Sequence, residues 1–219
     1  MGIIDKIVAF FLEGGFWMYP IMIVGAIGIA TAIERFIMLM KIERANKVMW
    51  DRVQPILAKG DFDSARKLTS TNNSTVSKLL EVGLGLQGLV RRREDIEIAM
   101  EEEMMGIIPM LEKRIGSIAL FANISTLLGL LGTILGLIAA FNAVANANPA
   151  EKADLLSASI SIAMNTTAFG LITAIPLLFF HYFLNYKSGM IVDSLEMASV
   201  RTLNVISQRA KLAALKQAA

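Results

Sequence analysis

The sequence predicts an all-α, polytopic membrane protein with three transmembrane helices, a cytoplasmic helical domain between the first two, and long helices extending beyond the bilayer. Residues 115–150 and 155–186 hold no Asp, Glu, Lys or Arg. As helices these 36 and 32 residues would measure roughly 54 and 48 Å, against a hydrocarbon core of about 30 Å. Apolar residues make up 55% of the chain and mean hydropathy is +0.57, high for a soluble domain. No strand-like alternation occurs anywhere, and the apolar positions recur at steps of three and four.

Residues 1–15 place Ile3, Ile4, Ile7, Val8, Phe10, Phe11 and Leu12 among few charges and end in Gly14 and Gly15, a pattern that predicts a short interfacial amphipathic helix. Asp5, Lys6 and Glu13 break up this stretch, and no small-residue cleavage pattern follows, so it is expected to stay rather than act as a cleaved signal. The first span is expected over residues 16–40, with Trp17 and Tyr19 at its boundary and Pro20 in its opening turn.

Residues 41–114 contain 13 Lys or Arg against 12 Asp or Glu, the composition of a nearly neutral, solvated domain. Asp61 and Ser64 suggest one helix start, and Asn72, Asn73 and Ser74 suggest a break before another. From 93 to 114 the acidic residues fall opposite Ile96, Met100, Met104, Ile107 and Leu111, so a helix is expected to run into the second span without a break. Glu101, Glu102 and Glu103 read as its solvated face.

The second span is expected over 115–144, a periplasmic loop over 145–154, the third span over 155–186 and a cytoplasmic helical tail over 187–219. Lys41, Arg44, Lys47 and Arg52 follow the first span closely, and Lys187, Arg201, Arg209, Lys211 and Lys216 follow the third. The bias of positive charge predicts a periplasmic N-terminus and a cytoplasmic C-terminus.

Two stripes carry the candidate site. Thr126, Gly129, Thr133, Gly136 and Ala140 share one helix face, and Ser159, Ala163, Thr166, Gly170 and Thr173 share another. Small faces let membrane helices approach closely, and hydroxyls bond within a helix or across to a neighbour. Gly129, Gly136, Ala163 and Gly170 are therefore the expected packing surface. Asn165 and Thr167 flank the second stripe; an amide such as Asn165 must face a helix or water, as packing glue or as pore lining.

A net charge of +2 gives no reason to expect a nucleic-acid partner. With no Cys and only His181, thiolate chemistry and Cys- or His-rich metal sites are excluded, and neither enzyme activity nor a cofactor is expected.

GLLGTILG at 129–136 and TTAFGLITAIP at 166–176 together resemble the paired signature of the ExbB/TolQ/MotA proton-channel family. Three spans with a domain between the first two resemble its ExbB/TolQ branch. The resemblance implies an inner-membrane homopentamer around an ExbD/TolR-type subunit whose single span carries a protonatable Asp, and further a TonB-like protein. It implies conversion of proton motive force into mechanical work on the cell envelope, such as TonB-dependent import, with Thr133 and Thr167 as pore-facing hydroxyls and Thr166 and Asn165 beside them. The alternatives are a non-conducting membrane scaffold and a self-contained channel. Members of the branch often carry Glu where this chain has Ile162, and no carboxylate occurs between 155 and 186. The titrating group is then supplied by the partner.

Overall fold

The computed structural model describes residues 2, 10, 14–90, 92–145 and 147–218. The interfacial helix expected over 1–15 lies outside them apart from Gly2, Phe10, Gly14 and Gly15. Six helices follow: α1 (Met18–Lys59), α2 (Phe62–Ser70), α3 (Thr75–Leu86), α4 (Arg93–Glu112), α5 (Ile115–Ala145) and α6 (Lys152–Ala218), with no strand among the described residues. Three helical stretches are long and apolar enough to cross a membrane. The 42 residues of α1 and the 67 of α6 correspond to roughly 63 and 100 Å, so both extend well beyond a bilayer core.

The chain divides into two compact units, one comprising Met1–Arg35 and Arg114–Leu184, the other Phe36–Lys113 and Asn185–Ala219. In the first, the interior is built from small residues: Ala32, Ala122, Ser125, Ala140, Ala163, Thr166 and Ala174 are buried together with a few larger side chains such as Ile21, Ile118 and Leu177. Its large apolar side chains, among them Ile27, Leu127, Ile138, Ile172 and Phe179, point outward. That inversion suits helices whose surroundings are as apolar as their interior, where close backbone approach rather than expulsion of greasy surface holds the packing.

The second unit has the opposite arrangement. Leu39, Met49, Val53, Leu79, Leu80, Met100, Leu111 and Leu195 are buried and form a core of large apolar side chains. Its polar groups fix the short helices. Asp61 accepts the Ser64 N–H at 3.1 Å as the cap of α2, and Ser74 accepts the Ser77 N–H at 3.3 Å as the cap of α3. The Ser64 side chain first, and its backbone N–H second, hold the Asp61 carboxyl below the ordinary Asp range. Buried Asn46 on α1 reaches the start of α3, donating to Thr75 Oγ1 at 2.7 Å and accepting from Thr75 Oγ1 at 2.9 Å and Val76 N–H at 3.1 Å. Lys187 on α6 donates to Glu43 on α1 at 2.8 Å.

The structure corrects one expectation and extends another. The helix at 93–112 does not run into the second span: α4 ends at Glu112, and Arg114 takes a left-handed conformation with φ of +63° before α5 begins. A left-handed residue cannot continue a right-handed helix, and the Arg114 guanidinium is held by Glu34 of α1 at 3.0 Å. The third span and the tail, read as separate segments, form the one helix α6, which continues through Pro176.

Candidate functional site

The two small faces meet within the first unit. Gly129 of α5 and Gly170 of α6 approach backbone to backbone: a methyl group added at Gly170 would lie 2.8 Å from the Ser125 carbonyl oxygen and 3.1 Å from the Gly129 Cα. One added at Gly136 would lie 2.9 Å from the Ala163 Cβ. Contacts this short leave no room for a side chain, so the helices cross where neither has one.

The seam is rotated slightly from the stripe suggested by sequence. On α5 the buried positions are Ser125, Gly129, Gly132 and Ala140, while Thr126 is exposed and Thr133 only half-buried. On α6 they are Ala163, Thr166, Gly170 and Ala174, with Thr167 half-buried. Thr133 and Thr167 therefore stand on the edge of the seam, and there they meet. Their hydroxyls are in hydrogen-bond contact, Thr167 Oγ1 lies 2.9 Å from the Gly129 carbonyl oxygen, and Thr133 Oγ1 lies 3.2 Å from that oxygen and 3.3 Å from the Ala163 carbonyl oxygen.

Two hydroxyls have two protons to donate, and these four contacts offer more acceptors than that. If Thr167 donates to Gly129, Thr133 is free to donate to Thr167 or to Ala163. If Thr133 donates to Gly129 or Ala163, Thr167 is free to donate to Thr133. The two patterns interconvert by rotation of the C–O bonds, without any helix moving. The pair can thus reverse the sense of its hydrogen bonds, but a hydroxyl does not hold an extra proton near neutral pH.

The other predicted lining residues, Thr166 and Asn165, are not part of this contact. Thr166 is 2% exposed, and its hydroxyl lies 2.9 Å from the Ile162 carbonyl oxygen and 2.7 Å from that of Gly14, so it ties the chain ahead of α1 to α6. Asn165 is half-buried, with no side-chain hydrogen bond among the described residues. Ile162 is 42% exposed. Among the described residues no group of acidic, His or Cys side chains could hold a metal ion.

Sequence reasoning missed three features. Gly132 and Ser125 belong to the seam, and both were legible as small residues one helical row from those chosen. Arg35 is 4% exposed, donates to Glu34 at 2.7 Å, and leaves Nε and Nη1 without a partner among the described residues. Only the register of α1 could have signalled its burial, since it lies three residues beyond buried Ala32 and four before buried Leu39.

Apolar helices long enough to cross a bilayer, joined through glycine with hydroxyls at the edge of the joint, are the architecture of a polytopic membrane protein. A sequence profile of the MotA/TolQ/ExbB proton channel family matches residues 71–197, more than half of the chain, and the protein belongs to that family. It is similar to a biopolymer transport protein ExbB homologue of Methanothermobacter thermautotrophicus, 28% identical over 194 residues that cover 88% of this chain and 67% of the relative. The biopolymer transport protein ExbB-like 3 of Synechocystis is 27% identical over 171 residues, 77% of this chain and 80% of that one. Biopolymer transport protein exbB1 of Vibrio cholerae is 46% identical over a shorter stretch of 59 residues, 27% of this chain and 26% of its own.

Proposed function

We propose that the chain is the pore-forming subunit of an inner-membrane proton channel that works with an ExbD/TolR-type single-span partner to convert proton motive force into work on the cell envelope. The observation that supports this reading most directly is the Thr133–Thr167 pair, a hydroxyl relay at the edge of a glycine seam, in spans that contain no carboxylate between 115 and 150 or between 155 and 186. Such a lining can solvate and orient a proton carrier but supplies no group to carry the charge. An intramembrane Asp on the partner would fill that role, and its charged and neutral forms would fit the hydroxyl lining differently. That differential fit is what allows a proton to bias a conformational equilibrium.

In this reading the subunit is a homopentamer around the partner's helices, the unit with the large apolar core is cytoplasmic, and the N-terminus is periplasmic. Proton flux into liposomes, measured with and without a single-span partner bearing an intramembrane Asp, tests it. Flux only with the partner, abolished when that Asp is replaced by Asn, is the expected result. Flux from this chain alone would make it a self-contained channel, and none under either condition would make it a scaffold.

A further inference from the structure

The flank of α5 that carries Thr133 continues toward Arg114 through Leu130, Thr126 and Asn123, at steps of three, four and three along one helical row. Asn123 and Thr126 are both exposed. The Thr126 hydroxyl donates to its own helix, 3.2 Å from the Ala122 carbonyl oxygen, and keeps its capacity to accept. The Asn123 carboxamide makes no hydrogen bond among the described residues. It stands about 14 Å along the helix from Arg114 and about 15 Å from Thr133, well inside the charge-free stretch.

A carboxamide with two donors and an acceptor, exposed at that depth and bonded to nothing, is strongly disfavoured against lipid tails. The adjoining side of the same helix shows what a lipid-facing surface looks like here: Leu120, Leu131 and Leu135 are exposed there. We infer that the Asn123–Thr126 flank faces water, and that Asn123 is a path-lining residue which solvates the proton route between the Thr133–Thr167 pair and the Arg114 end of α5. The inference rests on the channel reading: the side chains alone argue against lipid, and the polar row leading from the Thr133–Thr167 pair favours water over a neighbouring copy. Two hydroxyls and an amide on one row give water acceptors and donors at intervals along the helix. Leu130 lies on that row between them, and Leu127, also exposed, adjoins it.

The chain has no cysteine, so single Cys residues report on their own surroundings. The full chain, with its single-span partner, is placed in inverted membrane vesicles as Asn123→Cys, Thr126→Cys, Leu120→Cys or Leu131→Cys and treated with a small, charged methanethiosulfonate reagent. Because only the thiolate reacts, modification requires water at the sulfur. Cysteines at 123 and 126 should react at least roughly tenfold faster than those at 120 and 131, which bracket them in depth. Equal rates at all four positions, or a disulfide between copies at 123 with no modification, would overturn the inference. Flux through Asn123→Leu, compared with Asn123→Gln, supplies the second readout: the Leu variant should lose most conduction and the Gln variant should keep it. Partner-dependent flux without labelling at 123 sinks this assignment and leaves the channel reading standing, whereas labelling without flux from any variant sinks the channel reading alone.

Discussion

Thr133 and Thr167 share one acceptor, the Gly129 carbonyl oxygen, and this sharing makes each hydroxyl dispensable to packing but not to the proposed relay. If Thr133 becomes Val, Thr167 keeps its bond to Gly129 and the seam keeps its shape. The loss in stability should be about 1 kcal/mol, that of one net hydrogen bond. A stabilisation of similar size removed from the transferring state predicts roughly five- to tenfold lower partner-dependent flux. Either Thr133→Val or Thr167→Val should show this in liposomes while assembling normally. Wild-type flux in both would remove the hydroxyls from the route. The sequence put Thr133 on one small face and Thr167 on the flank of another of matching period, the family resemblance singled both out, and the structure brings them together. The engagement of Thr166 with Gly14 was not readable from the sequence, since it joins residues 152 apart through a backbone oxygen that no side-chain pattern announces.

At the level of single elements, helix existence was legible and helix rotation was not. Steps of three and four fit several adjacent rows of a helix equally well, so the choice of Thr126 passed over Ser125, which the neighbouring helix selects. The break at Arg114 escaped for a related reason: the apolar period continues across it, and nothing in Lys113 or Arg114 forbids a helix. Gly170→Ala should push α5 and α6 apart against backbone atoms, costing about 1–3 kcal/mol in thermal unfolding in detergent. Gly189→Ala, where an added methyl meets nothing within 4 Å, should be neutral or slightly stabilising. In the other unit, Asn46→Ala leaves the Thr75 hydroxyl and the Val76 N–H at the start of α3 without their partner, and denaturant unfolding should show a loss of about 2–4 kcal/mol. A loss below about 0.5 kcal/mol, the scale of a surface substitution, would show that water replaces the amide at no cost.

For the whole molecule, the charge-free runs and the two contrasting cores express the same division of the chain between solvents. Small residues inside and large ones outside mark one unit; large residues inside mark the other. The spans were readable because a hydrocarbon core of about 30 Å demands about 20 predominantly apolar residues in a row, and a solvated surface does not. The orientation across the membrane is a prediction from the Lys and Arg bias. Reporter fusions should place residues 60 and 219 on the cytoplasmic side and residue 148 on the periplasmic side; the reverse pattern would overturn the topology.

Asn46 and its α3 partners are 29 and 30 residues apart, whereas Glu43 and Lys187 are 144 apart. The first connection has both its ends once Val76 is made, and the second must wait for Lys187. At a ribosomal rate of about 5–20 residues per second, that wait lasts roughly 6–22 seconds. The contact at the first helix can therefore close while the third span is still unsynthesised. During that interval the α1 surface later covered by α6 is bare, a window in which a chaperone or a neighbouring nascent copy can reach it.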